Sequence, residues 1–157
     1  MDTRILFSRF SLVLLFLSTL IAEAILLLLI SEIAVEFPEI KHLVLPYQVL
    51  AVCIFAFVQI GLFGLWQIVS AVKSGVFYDP KTRTWFNLVL FMMGAVLTTT
   101  TLASIHLLFI EKLAHPGLTL LLFTLVLVGV GLLGLATLAR HLYLAAGEEH
   151  RDLQGVI

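Results

Sequence analysis

ILFSRFSLVLLFLSTLIAEAILLLLI, residues 5–30, contains two ionisable side chains in twenty-six positions, Arg9 and Glu23. An α-helix rises about 1.5 Å per residue, so about 20 mostly apolar residues suffice to cross the hydrocarbon core of a bilayer. The stretch exceeds that length and is apolar on nearly every face, which suits a lipid-embedded helix better than a helix half in water. Three further stretches of the same kind follow, at residues 46–72, 85–110 and 116–142. The expected fold is therefore all-α: an integral membrane four-helix bundle forming one transmembrane domain over residues 1–157, with a short tail at 143–157.

Composition supports this reading. The chain is 61% hydrophobic and 12% charged, with a mean hydropathy of +1.14. Soluble domains are typically about 45–50% apolar and about 25% charged, so lipid must solvate the excess apolar surface here. A net charge of −1 argues against direct nucleic-acid binding, which needs a basic patch to neutralise phosphates. The single cysteine, Cys53, excludes an internal disulfide, a CxxC pair and a multi-thiolate metal site.

Orientation is expected from the distribution of Lys and Arg. Arg4 and Arg9 at the N-terminus, Lys73, Lys81 and Arg83 in the second connection, and Arg140 and Arg151 at the end make seven of the nine. The first and third connections carry only Lys41 and Lys112. Four spans accommodate that bias with both termini in the cytoplasm. Ala22-Glu23-Ala24 resembles a signal-peptide cleavage site, but the apolar run resumes at once, so the segment is retained as the first span.

Glu23 is the residue most in need of a partner, because a carboxylate near a helix centre costs about 2.5–3.5 kcal/mol on insertion scales. It lies about a dozen Å below the outer end of the first span, taken at Ser31. Gln59 lies about 20 Å below Pro46, and His106 and the Thr98–Thr101 run about 6 and 14–18 Å below the outer end of the third span. Thr99 and His106 share one helical stripe, and Gly94, Thr98 and Thr101 share another. A polar seam contributed by three helices is expected, with Glu23, Gln59, Thr98, Thr99, Thr101 and His106 as candidate ligand or proton-site residues. The bland reading is a protonated carboxyl and threonines that only lock packing.

Glu32, Glu36, Glu39, His42, Glu111 and His115 cluster near the outer face and read as a solvated acidic rim, so no metal site is assigned. Gly61/Gly64 and Gly131/Gly134 are spaced i, i+3 and suit close helix packing. Gly75 is a turn residue, and Asp79-Pro80 suggests a helix start. No P-loop, HExxH or nucleophile–base pattern is visible. Neither an enzyme nor a cofactor is expected.

Ala71-Val72-Lys73-Ser74-Gly75-Val76-Phe77 running into Lys81-Thr82-Arg83, and Leu138-Ala139-Arg140-His141-Leu142 running on to Leu153, together with four spans in this length, resemble the YoaS-like family of small bacterial membrane proteins of unknown function. The resemblance implies the bacterial cytoplasmic (inner) membrane and carries over no catalytic residues. Family members are often encoded beside a small helix-turn-helix regulator, which implies signalling through the cytoplasmic face. Gly75, Phe77, Arg83, Glu148, Glu149 and Arg151 become candidate docking residues for a membrane or cytoplasmic protein, or for a second copy of the chain. The leading expectation is a sensor, regulatory or accessory subunit. A lone membrane glutamate in the first of four helices also resembles the small multidrug-resistance transporters, which implies proton-coupled export of cations. Those chains are shorter and lack so strong a Lys/Arg bias. A purely structural subunit is the third reading.

Overall fold

The computed structural model describes residues 3–113 and 115–155, with side chains to Glu148. Four long helices are present: α1 (Thr3–Glu36), α2 (Val44–Lys73), α3 (Pro80–Ile105) and α4 (Pro116–Gly155). All four are long and apolar enough to cross a membrane. α1, α2 and α4 outrun their apolar stretches, since backbone hydrogen bonding does not stop where the lipid does. α1, at 34 residues, is about 51 Å long against a hydrocarbon core of about 30 Å. The expected first connection shrinks to Phe37 and a 3₁₀ turn over Pro38–Leu43. The tail expected from residue 143 is an unbroken continuation of α4 to Gly155.

The connection between α2 and α3 is specified locally. Gly75 takes φ +72°, and Val76 N–H donates to Ala71 O while Gly75 N–H donates to Val72 O. That pair of bonds closes a helix with a left-handed residue just past its end, where glycine carries no Cβ penalty. Asp79 then caps α3, its carboxylate accepting from Lys81 N–H at 2.9 Å, and Pro80 occupies the first helical position. A proline is tolerated there because its missing N–H would have had no partner. This moves the start of α3 to Pro80, five residues before the apolar stretch begins.

At its other end α3 widens into a π turn, His106–Ile110, with Glu111 N–H donating to His106 O at 3.0 Å. Such turns are uncommon and recur at functional positions. Lys112, at φ +54°, follows in the left-handed region that non-glycine residues seldom occupy.

The helices pack in chain order, α1 on α2, α2 on α3 and α3 on α4, all antiparallel. No substantial packing joins α1 to α4 among the described residues. The four helices of the expected bundle are thus arranged as an open row. One end, called here the terminal face, carries Thr3, Lys73, Pro80 and the end of α4. The other, the loop face, carries the 3₁₀ turn and Glu111.

The α2–α3 seam is the densest. Ala51, Leu62 and Ile68 of α2 and Val89 of α3 are buried. A Cβ at Gly64 would come within 2.8 Å of Val89 Cγ2, so this glycine sets how closely the helices approach. Gly61 faces Met92 Cβ at ordinary contact distance. The second glycine pair behaves differently: Gly131 and Gly134 meet nothing within 4 Å. The close approach on α4 occurs at Gly129, whose added Cβ would lie 2.9 Å from Leu97.

Candidate functional site

At the terminal face four rings converge. Tyr143, 8% exposed, is the only buried residue of α4 among those described. Its ring stacks on Phe86 (centroids 4.7 Å apart) and Tyr78 (6.0 Å), and meets Phe77 edge-on at 5.0 Å. Phe77 also packs edge-on against Tyr78 at 5.3 Å. Aromatic pairs in these geometries contribute about 0.5–1.5 kcal/mol each beyond the area they bury. The Tyr143 hydroxyl donates to Asp79 O at 3.4 Å. One turn earlier Arg140 Nε donates to Asn87 Oδ1 at 2.8 Å. Beneath them Thr82, at 2% exposure, is the most buried side chain described.

The Gly75 turn makes this clasp possible by reversing the chain so that Phe77 and Tyr78 lean back over α4. A Cβ at Gly147 would approach Tyr78 Cδ1 to 3.3 Å, so α4 passes close beneath that ring. Tyr78, Pro80, Arg83, Tyr143, Gly147 and Glu148 line a cleft of about 180 Å³. The cleft has an aromatic floor with a cation and an anion at its rim. Of the residues expected to dock a partner, Arg83 and Glu148 line this cleft, Phe77 packs in the adjoining ring cluster, and Gly75 shapes the approach. Glu149 and Arg151 lie on the helical extension of α4, with side chains outside the described residues.

Inside the membrane-spanning part, Gln59 Nε2 donates to Glu23 Oε2 at 3.0 Å, joining α2 to α1. The pair is one of three polar rungs. Gln48 Nε2 donates to Ser31 Oγ at 2.8 Å and Leu27 O at 3.3 Å, and Arg9 Nη2 donates to Ser70 Oγ at 3.0 Å. Gln48, Gln59 and Ser70 are eleven residues apart, about three helical turns, so they lie along one face of α2. That regular spacing is visible in the sequence and is the signal by which the α1–α2 contact could have been found.

His106 does not join Glu23. Its Nδ1 lies 2.9 Å from the Tyr47 hydroxyl, and its Nε2 lies 3.9 Å from Glu111 Oε1. Glu111 Oε2 is in turn 3.3 Å from His42 Nε2, and His42 Nδ1 is 3.1 Å from Glu39 O. This loop-face chain ties the 3₁₀ turn, α2 and the π turn together. Among the described residues no three His, Cys, Asp or Glu side chains gather as metal ligands would.

The threonine run divides by face. Thr100 and Ser104 are buried, Thr99 is half-buried and Thr98 is exposed. Thr101 donates back to Leu97 O at 2.8 Å, and Ser104 to Thr100 O at 2.8 Å. Val89 and Thr100, eleven apart, mark the buried face of α3, and Thr98 points about 160° away from Thr100 at 100° per residue. A single seam through Glu23, Thr98 and His106 does not form, because α1 packs on α2 and leaves α3 to the other side.

Residues 28–157 match the model of a family described as protein of unknown function (DUF2975). No curated protein and no solved structure matches the chain.

Proposed function

The chain belongs to the DUF2975 family, and we propose that it is a non-enzymatic sensor, regulatory or accessory subunit acting through its terminal face. The observation that carries this reading is the aromatic clasp that holds Tyr143 of α4 against Phe77, Tyr78 and Phe86. Beyond Tyr143, α4 continues for twelve residues to Gly155, about 18 Å of helix past the grip. A partner protein that engages this extension and the Arg83–Glu148 cleft competes with or completes the clasp. The Lys/Arg bias supports placing this face in the cytoplasm. The resemblance to YoaS-like bacterial inner-membrane proteins, with their neighbouring helix-turn-helix regulators, supports a signalling partner.

Input reaches the clasp along α2. The helix carries the rungs to α1 on one face, packs on α3 with the other, and ends at the Gly75 turn. Protonation or ligand binding at Glu23 changes what Gln59 faces, and counts as a signal only if it biases two packing states. The same Glu23 underlies the competing exporter reading, in which flux across the membrane depends on it and the clasp is dispensable.

Affinity purification in mild detergent with quantitative mass spectrometry separates the two. A stoichiometric partner is expected with the full chain and is expected to be lost on truncation after Leu144, which keeps Tyr143 in place. Capture of the same partner by the truncated chain, or proton-coupled flux in proteoliposomes abolished by Glu23→Gln, overturns the proposal.

A further inference from the structure

Arg9 carries a full charge that no Asp or Glu side chain among the described residues neutralises. Its guanidinium lies over the Trp66 ring at 5.1 Å, and Nη2 donates to Ser70 Oγ at 3.0 Å. The Ser70 proton is committed to Trp66 O at 2.9 Å, so a serine lone pair is left for the arginine. The guanidinium is therefore held by an aromatic platform and a polar edge. No Asp or Glu oxygen among the described residues lies within 4 Å of it. Nε is buried without a partner, and Nη1 has no protein acceptor among the described residues.

Depth says what supplies the missing charge. From Phe10 to Ile30 are twenty-one residues interrupted by one ionisable group, about 32 Å of helix, close to the thickness of a hydrocarbon core. Arg9 thus stands where acyl chains give way to headgroups, beside a tryptophan of the kind that settles at that boundary. A cation fixed in the hydrocarbon would be costly, whereas at this level phosphate oxygens are within reach. A planar guanidinium with a free edge matches phosphate in geometry as well as charge. Lys73, exposed and three residues beyond Ser70, lies on the same side of α2 and adds a second cation.

We propose that Arg9, set by Trp66 and Ser70 at the α1–α2 seam, is a headgroup site for the phosphodiester of an anionic phospholipid. It is independent of the clasp and needs no protein partner. Purified full-length chain is examined by native mass spectrometry with phosphatidylglycerol and phosphatidylcholine of matched acyl chains. Phosphatidylglycerol is expected to be retained about fivefold more, the ratio that ~1 kcal/mol for one basic residue near an anionic surface produces. Arg9→Ala is expected to abolish the preference, and Arg9→Lys to keep part of it by charge alone. A companion titration follows Trp66 emission in a Trp85→Phe background, where Trp66 is the sole tryptophan. Phosphatidylglycerol shifts it in an Arg9-dependent way, and millimolar inorganic phosphate does not. Undiminished preference in both Arg9 variants overturns the site. An equal, Arg9-dependent response to inorganic phosphate overturns the lipid and makes it a soluble-anion site.

Discussion

The two seams of α2 are built on opposite principles. Toward α3, α2 presents Gly61 and Gly64, which meet Met92 and the buried Val89. Toward α1 it presents Gln48, Gln59 and Ser70, and no α1 residue is buried among those described. The contrast follows from lipid as solvent. A leucine leaving acyl chains for another leucine gains little, so helices adhere by close backbone approach or by polar bonds. One seam uses the first device and the other uses the second. The first rests on close backbone approach, while the second rests on a few side-chain bonds.

The contrast fails most visibly if the α2–α3 seam tolerates bulk. Gly64→Leu should overpack Val89 and destabilise by about 1–3 kcal/mol, read as a lower melting midpoint in detergent. Gly94→Leu, at a position with nothing within 4 Å, should leave the midpoint near wild type. Equal midpoints for the two variants would show that this seam is not closely packed.

A smaller effect is expected at the central rung. Glu23→Ala strands the Gln59 amide in the seam, a loss of about 1–2 kcal/mol for an unsatisfied polar group. Glu23→Gln should retain most of the bond. Replacing both residues by leucine should recover part of the loss, with a coupling of about 0.6 kcal/mol, typical of hydrogen bonds between membrane helices. Additive single losses would mean that the two side chains do not interact.

The smallest change is expected at the loop-face rung. Gln48→Ala should leave the global midpoint unmoved and raise amide exchange locally, in the last turns of α1 near Ser31. Unaltered exchange there, alongside an altered midpoint, would place Gln48 in the core rather than at an edge.

The clasp and the loop-face chain differ in how far their residues announce themselves. Gly75 and Asp79-Pro80 read as turn and cap from local chemistry, and Phe77 follows within the same hexapeptide. Tyr143 is more than sixty residues away, and nothing in its neighbourhood says that it meets Phe77. His106 reads as one polar residue near a helix end. Its partners Tyr47, Glu111 and, through Glu111, His42 come together only because α3 antiparallels α2 and then widens into a π turn.

Hydrophobic length and composition alone determined that the chain is all-helical, with four stretches able to cross a membrane, because burial in lipid is a property each stretch satisfies by itself. The turn at Gly75 and the cap at Asp79 were equally local, set by φ preference and by unsatisfied N–H groups. Only the tertiary structure decided that the row is open, that Glu23 faces Gln59 and not His106, and that Tyr143 closes an aromatic clasp. Apolar helices in lipid have little preference for one face over another. The choice of neighbour therefore rests on a few glycines, polar rungs and rings whose partners are distant in sequence.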